Sequence, residues 1–217
     1  MELVNERQVA PLVFGGVFVL LVIAGSYGLV HLMYPTGAAQ NKVFWYLERA
    51  AGFTSYELLS LTAILGVTSR SGIWDRWKLR YLMAQLHQFV SILLLAFIAL
   101  HLFGLHEDAT IPFPWTKLLV PFAATYRPLP TGCGVLALYG ILVLVFTSWI
   151  RDKIGVKFWK SIHFLSFPTF ALVTLHGLLS GTDSGSRQAL WLYLVPILLF
   201  AIGMSTRIRK ASIRHSA

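Results

Sequence analysis

The sequence predicts an all-α membrane protein, a bundle of six transmembrane helices that keeps both termini cytoplasmic. Three observations predict it. Of 217 residues, 56% are hydrophobic and 12% charged, with mean hydropathy +0.68, and the uncharged runs are too long for core helices of a soluble domain. Lysine and arginine collect in alternate loops between those runs. Four histidines, His87, His101, His163 and His176, lie inside apolar stretches, where an ionisable side chain persists only if it is paired or has a function.

At ~20 residues per span there is room for about six spans. The first is expected at about 11–33 and the second at about 49–68. The third covers about 81–105, the fourth 132–150, the fifth 158–179 and the sixth 190–204. Each is taken as a helix, because backbone polar groups in lipid must be satisfied within the segment or in a closed barrel, and alternating barrel strands would not give unbroken apolar runs. Residues 106–131, rich in proline and aromatics, are expected to form a structured cap at the membrane surface. Without repeats or a low-complexity linker, residues 1–217 read as a single domain.

Orientation follows from the basic residues. Arg7, the Arg70–Arg80 loop, the Arg151–Lys160 loop and the tail from Arg207 to Arg214 share one side, leaving Lys42, Arg49, Lys117, Arg127 and Arg187 on the other. By the positive-inside rule the richer side, with both termini, is cytoplasmic. The net charge of +9 is then a topology signal, and nucleic-acid binding is unnecessary. A cleaved signal peptide ending near Gly37-Ala38-Ala39 is the competing reading of the N-terminus. Glu2 and Glu6 beside Arg7, and the length of the apolar stretch, argue against it.

One cysteine, Cys133, excludes an internal disulfide and a cysteine-ligated cluster, so histidine is left to hold a redox cofactor. His87 and His101 are fourteen residues apart, a rise of ~21 Å and a turn about 40° short of four revolutions, so they share a face near opposite leaflets. His163 and His176 are thirteen apart and would not share a face on an ideal helix. Pro168 between them can kink the helix and change its winding. The third and fifth spans run in the same direction, so depth pairs His87 with His163 for an inner haem and His101 with His176 for an outer one. Neutral imidazole is a standard axial ligand of haem iron. The bland alternative is four neutral histidines hydrogen-bonded between helices.

The stretches Trp45, Arg49-Ala50-Ala51-Gly52, Ser55-Tyr56 and Leu65 to Arg70 resemble the second helix of bacterial ferric reductase-like transmembrane proteins. The likeness continues through Leu86-His87-Gln88, His101, Leu118 to Phe122, Tyr126 to Pro128, Trp159 to Ser166, Leu175-His176-Gly177 and Gly181-Thr182-Asp183, and so covers nearly the whole chain. The histidine spacings are similar to those of the wider superfamily of eukaryotic ferric reductases, NADPH oxidases and the haem subunit of the bacterial methionine sulfoxide reductase system. The resemblance implies a six-helix b-type cytochrome in the cell (inner) membrane with two haem b, their iron held by His87, His101, His163 and His176. It also implies an electron-transfer subunit of an oxidoreductase, carrying electrons from a cytoplasmic flavoprotein or a quinol to an acceptor on the outer face. The chain ends at Ala217, so flavin and nicotinamide chemistry is expected of separate redox partner proteins, with a flavin or quinone at the cytoplasmic side. Which acceptor is reduced, and the oligomeric state, are left open.

Other polar residues receive smaller roles. Arg127 and Lys117 outside, and Arg80 or Lys160 inside, could pair with haem propionates, with contact to lipid headgroups as the plainer role. Arg49 and Glu57 are costly at membrane depth and, eight residues apart, are not expected to pair on one helix. They are assigned no chemistry. His31 and His106 are candidates for a further haem or a metal ion, against plain interfacial residues, and His215 is expected to do nothing specific. The cytoplasmic basic loops could dock an acidic flavoprotein or a flavin phosphate, or rest on anionic lipid of the bilayer. Two other function classes stand beside the conduit: a membrane anchor of a larger redox complex with partial or no haem, and an ion or proton transporter using the histidines as relays.

Overall fold

The computed structural model describes residues 6–34, 36–69 and 73–215, with side chains described from 16 to 209 within those ranges. Arg70 and the side chains of Arg7, Lys210, Arg214 and His215 therefore lie outside the described residues. The described residues form helices α1 (Glu6–Met33), α2 (Gly37–Thr68), α3 (Arg80–Glu107), α4 (Trp115–Leu119), α5 (Pro128–Trp149), α6 (Arg151–Ile154), α7 (Val156–His163), α8 (Ser166–Ser180) and α9 (Arg187–His215). Six stretches are long and apolar enough to cross a membrane, the fifth being α7 and α8 together. The chain is a multi-pass membrane protein.

α2 differs most from expectation, starting at Gly37 rather than near Arg49. Hydropathy marks the lipid-embedded part of a helix, whereas Ala38, Ala39, Gln40 and Lys42 propagate it beyond the apolar run because they are good helix formers. Thr36 caps it, its hydroxyl accepting from the Ala39 amide at 3.4 Å. At 32 residues α2 is ~48 Å long, well over the ~30 Å hydrocarbon core. α9 likewise continues past the apolar run into the basic tail.

The fifth span is broken at Phe164 and Leu165. Pro168 lacks the amide proton that would bond to the Phe164 carbonyl, and it sits instead in the first turn of α8, where that loss is harmless. Across the break the amides of Leu165 and Phe167 bond three residues back, to Ile162 (2.9 Å) and Phe164 (3.2 Å). Such bonds wind the chain at about 120° per residue instead of about 100°. Thirteen ideal residues would leave His163 and His176 about 140° apart around the axis, and the tightened turn with its kink moves them toward a common side.

α2 is the hub of the bundle. It packs along α3 and also against α8 and α9, while α5 packs on α8 and α1 lies at the edge, mainly against α3. The core joins Tyr56, Leu59, Leu94, Ile141, Phe170 and Tyr193. At Gly104 the α2 and α3 backbones nearly touch, since a Cβ there would lie 2.9 Å from the Glu48 amide nitrogen, the close approach that small residues permit between membrane helices. The segment expected to form a cap is structured. α4 and its flanks form a small apolar cluster, Phe113, Leu118 and Ala124, packed on Leu102 and Leu105 of α3.

Candidate functional site

α3 carries His87 and His101, α7 ends with His163 and α8 carries His176. The fold brings the four together as two pairs. The His87 and His163 rings have centroids 6.3 Å apart, crossing at 69°, and those of His101 and His176 are 6.4 Å apart, crossing at 72°. These are the pairs expected from depth, at two tiers ~21 Å apart along α3.

Three of the imidazoles are held by the same device. His87 Nδ1 donates to the Thr62 carbonyl (2.9 Å), His101 Nδ1 to the Glu48 carbonyl (2.7 Å) and His176 Nδ1 to the Pro130 carbonyl (2.9 Å). Each acceptor lies four residues before a glycine: Thr62 before Gly66, Glu48 before Gly52, Pro130 before Gly134. Helical side chains lean toward the N-terminus, over the turn that precedes them, so a residue without one uncovers the carbonyl four positions back. The histidine fills the gap. A Cβ at Gly52 would lie 3.1 Å from His101 Nδ1, at Gly66 3.2 Å from His87 Cε1, and at Gly134 2.6 Å from His176 Nδ1. Glu48 and Thr62 are fourteen residues apart, matching His101 and His87, so α2 anchors both tiers in one register.

The third anchor begins at Arg127, which caps α5 in a left-handed backbone conformation (φ 41°). Its guanidinium donates to the Leu179 carbonyl at 2.6 Å, tying the start of α5 to the end of α8, with Pro130 and His176 one turn inside. His163 instead stacks on Trp159, one turn earlier (centroids 4.9 Å, 32°).

A ring nitrogen that donates to a carbonyl fixes the tautomer and leaves Nε2 as a lone-pair donor, the arrangement typical of metal-bound histidine. Two metal–imidazole bonds of about 2 Å, plus roughly 1 Å from each nitrogen to its ring centre, give about 6 Å between centroids, close to both observed separations. The residues fit an iron porphyrin. Among the described residues no three His, Cys, Asp or Glu side chains cluster to hold a metal ion.

Beside the His101–His176 tier is a cavity of about 250 Å³, lined by both histidines with Glu48, Arg49, Tyr56 and Tyr126 among others. Arg49 is ion-paired with Asp183 in the α8–α9 loop, donates to the Thr182 hydroxyl at 2.6 Å and lies 3.8 Å over the Trp45 ring. Glu48 is buried, and its Oε2 has no hydrogen-bond partner.

Arg49, expected to have no role, thus lines the site. Its partner is 134 residues away, beyond any local spacing rule. Of the cations offered to propionates, Arg127 is bound to backbone carbonyls and Lys117 to Thr125 (3.2 Å), while Arg80 and Lys160 are exposed at the opposite end. Glu57, as expected, does not meet Arg49 and faces outward. His31 donates to the Tyr27 carbonyl at 3.0 Å and stacks on Tyr27, and His106 stacks on Trp115.

Against the family models, residues 51–174 match the Ferric reductase like transmembrane component. No match was found among curated proteins or among solved structures. The matched stretch covers more than half of the chain and holds His87, His101 and His163, with His176 two residues beyond it. Six membrane-crossing stretches and the family match agree: this chain belongs to the ferric reductase-like transmembrane family, and its role is membrane redox or electron transfer.

Proposed function

We propose that the chain is a di-haem b-type cytochrome of the inner membrane, with His87 and His163 as axial ligands of a cytoplasmic-side haem and His101 and His176 of an outer-side haem. The observation that carries this reading is the repetition: two histidine pairs of nearly equal separation, each between the third and the fifth span, at opposite ends of them. When bound, haem would supply one-electron chemistry, and iron held by an imidazole from each histidine of a pair would suit electron transfer rather than oxygen activation.

The chain's own residues hold and insulate. Carbonyls of Glu48, Thr62 and Pro130 orient the imidazoles through Nδ1, and the apolar layer of Leu59, Leu94, Ile141 and Phe170 between the tiers keeps water and ions out. Arg76, Lys78, Lys153 and Lys157 are exposed at the end holding the α2–α3 and α6–α7 turns. With that end cytoplasmic by the positive-inside rule, they form a basic face for an acidic redox protein. The donor is then a cytoplasmic flavoprotein or a quinol, and the acceptor meets the α4 end.

The test is the haem content of the purified full chain. A low-spin b-type reduced-minus-oxidised spectrum at two haems per chain is expected, with one lost on replacing His101 or His87 by alanine. Colourless protein, folded after expression with ample haem, would refute the reading in favour of a membrane anchor.

A further inference from the structure

A second cavity, also about 250 Å³, opens on the lipid-facing side of the bundle between α2 and α9, where Glu57 and Ser60 face Trp191, Leu192 and Pro196. Its depth is fixed by the histidine anchors. On α2, Glu57 lies nine residues below the Glu48 carbonyl and five above that of Thr62, or ~13 Å and ~8 Å along the axis, well away from either surface. Glu57 and Trp191 are both exposed toward lipid, Trp191 at 59%.

The cavity's polar groups are out of place at this depth. A carboxyl facing hydrocarbon is expensive without a partner. Pro196 lies inside α9 and has no amide proton for the Leu192 carbonyl, so a backbone acceptor is released into the same cavity. A donor-acceptor carboxyl, a carbonyl without its helical donor and an exposed indole thus border a space smaller than most drug-sized pockets.

An acyl chain would fill the space and leave every polar group unmet. A phospholipid headgroup does not reach this depth. We propose that the cavity binds the head group of a lipid-soluble quinone or quinol, the ring against Trp191, its oxygens bonded to the Glu57 carboxyl and, as quinol, to the Leu192 carbonyl, with the isoprenoid tail in lipid along Leu199. Such a molecule is flat, carries oxygens on opposite edges and diffuses in the bilayer interior. The site would serve the quinol among the two proposed donors and to that extent rests on the proposed function, but as a binding site it holds whether or not the histidine tiers carry haem.

The experiment uses the full chain in lipid nanodiscs and a photoreactive azidobenzoquinone with a short isoprenoid tail. After illumination, digestion and mass spectrometry, label is expected on 191–199 or the facing turn of α2. An excess of unlabelled quinone should displace it. Glu57→Leu, an apolar change on a lipid-facing surface, should lower labelling at least tenfold, while Glu57→Gln keeps a larger share. The haem spectrum is recorded on the same samples, so a chain that labels but is colourless retains this site and refutes the di-haem reading, and the reverse result does the opposite. Label that maps elsewhere, is not displaced or is unchanged in Glu57→Leu overturns the proposal. So does a Glu57-dependent cross-link to a second copy of the chain, which would show that a subunit covers the cavity.

Discussion

His101 rests on Gly52: its Nδ1 sits 3.1 Å from the point a Cβ on Gly52 would occupy, while bonding to the carbonyl four residues before that glycine. The same seat recurs under His87 and His176, and it makes the three glycines gauges of imidazole position.

Alanine at each seat should disturb its histidine in order of crowding. Gly134→Ala, at 2.6 Å from His176 Nδ1, is expected to remove most of one haem per chain. Gly52→Ala and Gly66→Ala, at 3.1 and 3.2 Å, should broaden or shift the spectrum with smaller loss. Glycine to alanine favours a helix by about 1 kcal/mol, so helicity should hold while haem titration falls. Equal haem content in all three variants would show the seats to be slack.

Pro168→Ala restores the amide that a continuous helix needs. The expected result is a straighter fifth span with His163 and His176 pulled toward opposite faces, read as slightly higher helicity by circular dichroism together with loss of at least one haem. Unaltered haem content would mean that the break at Phe164 and Leu165 is held by the bundle and not by the proline.

The Arg49–Asp183 pair spans α2 and the α8–α9 loop with side-chain exposures of 20% and 53%. Solvent screening limits its worth, so a double-mutant cycle of Arg49→Ala and Asp183→Asn should give a coupling of about 0.5–1 kcal/mol. Limited proteolysis should show cleavage near 181–186 rising in either variant. A coupling near zero with no new cleavage would make the contact incidental.

Charge reversal at Lys153 and Lys157 should slow reduction of the chain by an acidic cytoplasmic donor several-fold at low salt, converging with wild type near 1 M, where the Debye length is about 3 Å. Stopped-flow rates across an ionic-strength series read this out. A reversal variant matching wild type at every salt concentration would leave these lysines as topology signals only.

Much of this was legible in the sequence. Apolar runs mark the six spans because lipid demands them, and a fourteen-residue gap fixes a shared face on one helix, so the depth pairing of the histidines needed no tertiary information. Seats on Gly52, Gly66 and Gly134 were not legible. They depend on how α2 and α5 are registered against neighbours, and a helical glycine alone says nothing of what rests on it. The Arg49–Asp183 contact was hidden by distance along the chain, and the start of α2 by polar helix formers that hydropathy passes over. Pro168 signalled a kink, but only the structure placed it at Phe164 and Leu165.

One rod indexes both levels of the molecule. Because a single helix supplies the anchors for His87 and His101 at matching intervals, adding or deleting one residue between Glu48 and Thr62 would rotate one anchor by about 100° relative to the other. The two tiers could not then be seated at once, so this segment can change its residues far more freely than its length.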